Sequence, residues 1–350
     1  MSFPKTKYKK SGLITKAIFD KFRIHKGNGD MWPNTWADDD IIYTASGDIP
    51  GSVLNTWKVS GKPIFHGLVV EMTNFKPISD ELVKKLPQTH KHNNLKPAGI
   101  LSLNGRLYMT VSSMNYGEVE HGYRQRYPNG WIITSDDYGV TWDENATPYD
   151  FFSGSFCGGT FVQFGKNYAG ARDEYVYVAF PCSYKGISYW ENADCLLMGR
   201  IHKEKILERT AWEFYTGGAW SKDEEKAKPI FDYPNMTGQN FIHYNPGIKR
   251  YIMGNYSFMS EEGEPCPYHA GEFLGTETKY PSQLTLLEAE EPWGEWKVFH
   301  IDNNWGMYGG YQPSFPTKWI SDDGKEMYMV SSGSYDDYNF TVQKVSLVIG

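Results

Sequence analysis

Short runs in which apolar and polar residues alternate recur along the whole chain, each bounded by Gly, Pro, Asn or Asp. Five of them share one arrangement: a polar turn, an alternating strand with a central tyrosine, then small residues. They are ADDDIIYTASGD, LNGRLYMTVSS, ARDEYVYVAF, NPGIKRYIMGN and SDDGKEMYMVSSG, centred on Tyr43, Tyr108, Tyr177, Tyr251 and Tyr328. The tyrosines stand 65, 69, 74 and 77 residues apart. Period-two alternation specifies half-buried strands, and self-similarity at a near-fixed period specifies a repeat architecture. The pattern predicts an all-β chain folded over residues 1–350 as a single five-bladed β-propeller, with the tyrosine strands as the inner strand of each blade.

Other strands fall at matching places in each unit. After the tyrosine strand come LNTWKVSG, GWIITSDD, CLLMGRIH, QLTLLEAE and FTVQKVSL, and then, in four units, GLVVEMT, TWDEN, WEFYTG and EWKVFHID. The fifth unit ends at Gly350 before that outer strand, and GLITKAIFD near the N-terminus is expected to complete it. Pairing the first strand with the last closes the ring and removes exposed sheet edges. A β-sandwich or jelly roll is the alternative, but it does not require five equivalent tyrosine strands. One turn, Ser135 to Trp142, matches the S-x-D-x-G-x-T-W of the Asp-box hairpin of many propellers, which is a structural turn on the outside of the fold.

Composition agrees with this reading. Aromatics make up 16% of the 350 residues, with 35 Gly and 19 Pro, which suits pleated surfaces broken by many turns. The formal charge of −7, with no basic stripe beyond Lys5 to Lys10, argues against a nucleic-acid partner. No apolar run approaches the length of a membrane span, and MSFPKTKYKKSG has no apolar signal core. The four cysteines, Cys157, Cys182, Cys195 and Cys266, form no metal-like spacing; Cys182 and Cys195 could face each other across a hairpin, and buried thiols are expected. No metal or other cofactor is assigned, with room left for a structural calcium in the central channel. The protein is expected to be a monomer that engages a carbohydrate polymer or oligosaccharide and neither nucleic acid nor membrane.

In a propeller, inner strands converge on the axis, so residues flanking them are the candidates for chemistry. The first unit is the densest: Asp30 and Asp48 bracket one hairpin, with Trp32, Asn34 and Trp36 between them. Cleavage of a glycosidic bond uses two carboxyl groups flanking it, one protonated and one ionised, and flat aromatic rings suit the apolar faces of sugars. Asp38, Asp39 and Asp40 read as turn residues. The second unit adds His90, His92, His121, Tyr123, Arg124 and Gln125 in long loops; His121 with Tyr123 and Arg124 would suit a polysaccharide lyase. Arg172, Gln239, Asn240 and Gln312 read as binders of sugar hydroxyls. No G-x-S-x-G elbow, Walker A loop or dinucleotide fingerprint occurs in a suitable setting.

GDMWPNTWADDDIIYTASGD, SDDYGVTW, FVQFGKNYAGARDEYVYV, YNPGIKRYIMGNY, PWGEWKVFH and QPSFPTKWISDDGKEMYM together resemble a secreted propeller family, formerly of unknown function, that includes bacterial endo-D-arabinanases (glycoside hydrolase family 183-like). The resemblance is scattered from about Gly29 to Tyr328, and its most specific part is the Gly29–Asp39 stretch with the Gly47–Asp48 that follows. It implies an endo-acting hydrolase of D-arabinofuranosyl linkages, secreted or periplasmic, with Asp30 and Asp48 as the essential acids. The residues themselves leave two other readings open. One is a propeller lyase of rhamnose–glucuronate linkages that uses His66, His121 or Tyr123, with Arg124 or Arg172 holding the uronate. The other is a glycan-binding propeller that cleaves nothing.

Overall fold

The computed structural model describes residues 6–49, 52–74, 93–115, 129–186, 189, 192–259, 263–264, 281–306, 309–333 and 338–350. Five antiparallel sheets follow one another along the chain as the five blades of a β-propeller. Blade 1 is β2 (Asp30–Trp36), β3 (Ile42–Ile49), β4 (Ser52–Gly61) and β5 (Leu68–Met72). Blade 2 is β6 (Asn93–Leu103), β7 (Arg106–Asn115), β8 (Asn129–Ser135) and β9 (Phe152–Ser153). Blade 3 is β10 (Thr160–Phe161), β11 (Tyr175–Cys182), β12 (Ala193–His202), β13 (Glu213–Tyr215) and β14 (Trp220–Ser221), with β15 (Phe231–Thr237) also on β12. Blade 4 is β16 (Phe241–Asn245), β17 (Arg250–Phe258), β18 (Ser282–Ala289) and β19 (Lys297–Trp305). Blade 5 is β20 (Gly310–Ser314), β21 (Glu326–Gly333) and β22 (Phe340–Ile349), and the N-terminal β1 (Ile14–Lys26) pairs with β22 as its outer strand. The expected closure is therefore present.

The tyrosine strands occupy a different place from the one expected. They are β3, β7, β11, β17 and β21, the second strand of each blade. The strands that contact one another around the axis are β2, β6, β10, β16 and β20. In two of the five units the tyrosine anchors the turn entering its strand. In blades 1 and 3 the Asp four residues earlier takes a strand amide on one oxygen and the tyrosine hydroxyl on the other: Tyr43 to Asp39 at 2.6 Å and Tyr177 to Asp173 at 2.6 Å. Blade 2 departs in a second respect. TWDEN makes only a bridge between Thr134 and Asp143, and the outer strand is Phe152–Ser153. In that turn Asp137 takes the Thr141 amide and hydroxyl at 2.8 and 2.6 Å, and the Gly139 carbonyl accepts from Thr56 and Thr73 of blade 1.

Strands in the middle of a blade are covered on both faces by neighbouring blades. β12 and β18 are therefore almost wholly buried, and SQLTLLEA reads as a near-continuous apolar run. The core is a ring of layers between blades, the largest from blade 2 to blade 4. Cys182 lies directly opposite Cys195 in the β11–β12 ladder; both are free thiols, and the hydrogen bond from Cys195 favours the Cys182 thiolate. Cys266 lies outside the described residues.

Candidate active site

Contacts between inner strands keep an offset constant to within one residue. Asp30 meets Lys96 and Thr35 meets Ser102; Asp30 meets Tyr311 and Asn34 meets Ser314. The inner strands of blades 1, 2 and 5 therefore run the same way around the axis, and their first residues share one end of the channel. Three of them carry a register irregularity near that end, between Met31 and Asn34, Pro97 and Gly99, and Tyr311 and Ser314. Met31, Trp32 and Gln312 also sit at φ of 86°, 59° and 53°, left-handed values that cost a non-glycine residue about 1–3 kcal/mol. Bulges and strained backbone of this kind re-aim side chains beside functional sites.

What they re-aim is a buried ion pair. The Lys96 ammonium stands 3.2 and 3.4 Å from the two oxygens of Asp30, and the two side chains are 1% and 4% exposed. Tyr311 donates its hydroxyl proton to the same carboxylate at 3.3 Å. Gly47, the ladder partner of Asp30, leaves space for the pair, since a Cβ there would lie 3.0 Å from Oδ1 and 3.4 Å from Lys96 Cδ. Next to the pair runs an amide chain. Gln312 donates to Gln239 at 2.6 Å, and Gln239 donates to the Gly158 and Ala98 carbonyls at 3.0 and 3.4 Å. All five blades thus contribute to one polar cluster.

Part of that cluster has no partner among the described residues. Among the described residues, the buried Gln312 Oε1, Asn240 Oδ1, Ser112 Oγ and Ser332 Oγ make no hydrogen bond. Ser112 is the ladder partner of Lys96, and Ser332 is that of Tyr311. Buried polar atoms are almost always paired, so several orphans around one buried ion pair mark a place built to receive a polar ligand. At the opposite half of the channel Asn34 bonds Ser314 at 2.8 Å and Gln163 bonds the Ile100 carbonyl at 2.8 Å, while the buried His243 Nδ1 is unpaired among the described residues. Among the described residues no group of three His, Cys, Asp or Glu side chains is arranged to hold a metal.

The sequence candidates divide sharply against this geometry. Asp30, Gln239 and Gln312 converge, and Asn240 begins blade 4 beside them. Asp48 is described through its backbone only: it follows Gly47 on β3, which puts its Cα about 6 Å from that of Asp30. His121, Arg124 and Gln125, with Tyr123, His90 and His92, lie outside the described residues. Trp32 is not a sugar platform. It is fully buried between blades 5 and 1 against Trp57 and Phe340, because the left-handed turn at Met31 and Trp32 rotates it into the core. Trp36 lies six residues along β2, roughly 20 Å from Asp30, where it donates to Asp40. Asn34 is buried and spent on Ser314. Arg172 belongs to the turn entering β11, at the far end, paired with Asp173 and Glu291 and stacked 4.6 Å over Trp293. His66 is likewise in the exposed turn between β4 and β5.

Lys96 was missed, although a signal for it exists. Asp30 stands 13 residues before Tyr43, Lys96 12 before Tyr108 and Gln239 12 before Tyr251. Aligning the units on their tyrosines brings Lys96 and Gln239 into register, with Asp30 one residue away, and a lysine heading the apolar run LKPAGILSL is the anomaly there.

The family described as "Domain of unknown function (DUF4185)" matches residues 20–344. No curated protein matches the sequence. Among solved structures, a GH43_1 enzyme from Xanthomonas citri shares 10% identity at a TM-score of 0.53, over 93% of this chain and 92% of that one. An α-L-arabinofuranosidase from Lactobacillus brevis shares 13% at 0.50, over 91% and 90%. A xylan β-1,4-xylosidase from Bacillus halodurans C-125 shares 10% at 0.53, over 93% of this chain and 54% of its own. At such identities these likenesses establish a common fold.

Proposed function

The chain belongs to the DUF4185 family, and from the site at the head of its inner strands we propose that it is a glycoside hydrolase that cuts a polysaccharide internally, at D-arabinofuranosyl linkages, with Asp30 and Asp48 as its carboxyl pair. The observation that carries this reading is the buried Asp30 on the axis, in a cluster with polar atoms that lack partners among the described residues. The fold-level neighbours whose names describe a xylosidase and an arabinofuranosidase support the reaction class by analogy. The choice of sugar and the endo mode rest on the resemblance of the Gly29–Asp39 and Gly47–Asp48 motifs. The Lys96 charge is already met by Asp30, and Arg172, one of the two arginines considered for holding a uronate, is at the other end of the channel.

Incubation with D-arabinan, L-arabinan, sialylated and uronate-containing glycans, followed by reducing-end release and absorbance near 235 nm, tests the proposal. Reducing ends from D-arabinan without 235 nm absorbance are expected. Unsaturated uronate products would make the protein a lyase. Binding without release would make it a lectin-like propeller. Asp30→Asn and Asp48→Asn should each abolish release by about 10²–10⁴-fold, and full activity in both would end the carboxyl-pair mechanism.

A further inference from the structure

The end of blade 3 nearest the site carries two thiols at directly opposed positions of its central ladder. We propose that Cys182 and Cys195 are a disulfide-forming pair, that a small-molecule disulfide oxidises them, and that the new bond staples β11 to β12 behind the amide chain of Gln239 and Gln312. Cys182 ends β11, and Cys195 faces it near the start of β12. Residues so opposed in an antiparallel pair have Cα atoms about 4.5 or 5.5 Å apart, and both values lie within the roughly 4.4–6.8 Å that a disulfide spans. The two side chains are already in hydrogen-bond contact, so the bond closes without moving the backbone. Cys157 is wholly buried nearby and feels the Cys182 charge, but it is not opposed to Cys182 in the ladder.

The pair is asymmetric, which assigns an order to the chemistry. The hydrogen bond from Cys195 lowers the pKa of Cys182, while the same bond, and then burial, raises that of Cys195. Cys182 is also the more accessible, 7% exposed against 0%, and it leads into the turn at 183–186, where Tyr184 is 59% exposed. The thiolate is the nucleophile of disulfide exchange, so Cys182 attacks first and Cys195 resolves. The position gives the bond a consequence for the site. Pro181, next to Cys182, borders Gly158, whose carbonyl accepts from Gln239 at 3.0 Å. A Cβ on Gly158 would lie 3.6 Å from Pro181 Cγ and 3.7 Å from Gln239 Nε2. The staple therefore fixes the strand end against which the amide chain rests.

The Cys182 thiolate bonds to one sulfur of the oxidant, whose S–S bond breaks and whose other half leaves as a thiolate. Cys195 then gives up its proton, its sulfur bonds to that of Cys182, and the mixed disulfide releases the second half. The two departing thiolates take up the protons that the cysteines lost. Two cysteine thiols are oxidised, and one disulfide is reduced to two thiols.

The test uses the folded wild-type chain, first reduced and then incubated with oxidised glutathione. Acid quench, unfolding in urea with N-ethylmaleimide and peptide mapping by mass spectrometry then read every thiol. A cross-linked peptide joining Cys182 to Cys195 is expected, with Cys157 alkylated. The same oxidant added to the unfolded chain should give mixed pairings, which shows that the fold selects the pair. Cys195→Ser should collect one glutathione on Cys182, whereas Cys182→Ser should leave Cys195 with at least about tenfold less, since the resolving thiol is the buried one. Closing the bond should raise the urea midpoint of wild type, dithiothreitol should reverse the rise, and neither variant should show it. Cys182 and Cys195 both alkylated after oxidation of the folded chain, or a cross-link through Cys157 or Cys266 in their place, overturns the pairing. A 182–195 cross-link that leaves the midpoint where it was overturns the staple. All of these readouts need only the folded chain, so glycan cleavage, present or absent, leaves the outcome unchanged.

Discussion

Strand β2 carries an aspartate–lysine pair at each end, and the two pairs differ in almost everything but chemistry. At its first residue, Asp30 meets Lys96 at 3.2 Å with both side chains buried on the channel axis. Just beyond its last residue, Asp40 meets Lys318 at 2.9 Å, Lys166 at 3.6 Å and the Trp36 indole, with its own side chain 57% exposed. The exposed cluster is richer in aromatic and charged neighbours, and in sequence it looks as much like a sugar site as the buried one. It is nevertheless closed on itself. Beside the buried cluster, hydroxyl and amide oxygens stay unpaired among the described residues. Adjacent acids and tryptophans therefore do not identify a site here; burial together with unspent hydrogen-bonding capacity does.

The sharpest way to break this comparison is to remove one lysine from each pair. Lys96→Met leaves the Asp30 charge buried without its counter-ion, and a loss of about 3–5 kcal/mol is expected in urea unfolding. The double variant Lys96→Met, Asp30→Leu should regain most of that, since an apolar pair of similar volume can replace a buried ion pair. A single variant as stable as wild type would mean that solvent reaches the pair.

A second prediction separates the two halves of the channel by pH. His243, on β16, is wholly buried at the edge of Phe315 with no hydrogen-bond partner for Nδ1 among the described residues, and burial pushes its pKa down to about 3. The unfolded imidazole binds its proton near 6.5, so the unfolded state takes up more protons between the two values. Its contribution to stability is thus complete above about 6.5 and is lost as pH falls toward 3. His243→Phe should flatten the unfolding free energy across that window, as measured by denaturant midpoints. An unchanged slope would show that His243 is not the group responsible.

Gly47→Ala comes next. The new methyl would press on Asp30 Oδ1 at 3.0 Å without touching the exposed pair. Since displacements of about 1 Å can cost about 10²-fold in rate, turnover should fall far more than stability does. Equal losses of both would make Gly47 a packing residue only.

These contrasts also explain what could be read from the sequence. The blade count was legible because a tyrosine strand after a polar turn recurs in every blade, and in two of them the tyrosine anchors that turn, as Tyr43 does on Asp39 and Tyr177 on Asp173. The inner strands were less legible. β10 has two residues and β20 five, and the pairing of β20 is interrupted by a register shift, so no clean alternation marks them. Asp30 stood out through its neighbours in sequence. Lys96 and Tyr311 could not, because they reach Asp30 from positions 66 and 281 residues away. Trp32 and Trp36 misled for the opposite reason: nearness along β2 hides that a left-handed turn sends one into the core and strand length carries the other to the far end.

The smallest effect belongs to the exposed pair. Hydrogen bonds from Lys318, and then from Trp36, hold the Asp40 carboxyl below its ordinary pKa, yet the group is open to solvent. Surface pairs of this kind contribute about 0–1 kcal/mol, so Lys318→Met should cost no more than that. Because the folded pKa is depressed, the contribution is present above the usual aspartate range and is lost as pH falls through the folded value. The difference between Lys318→Met and wild type should therefore vanish in strong acid, and also in salt on the order of 1 M, where charges are screened over about 3 Å. Glycan cleavage by this variant should equal that of wild type. A Lys318→Met protein that folds normally but cleaves slowly would place chemistry at the Trp36 end of β2, and the distinction between the two ends would fall.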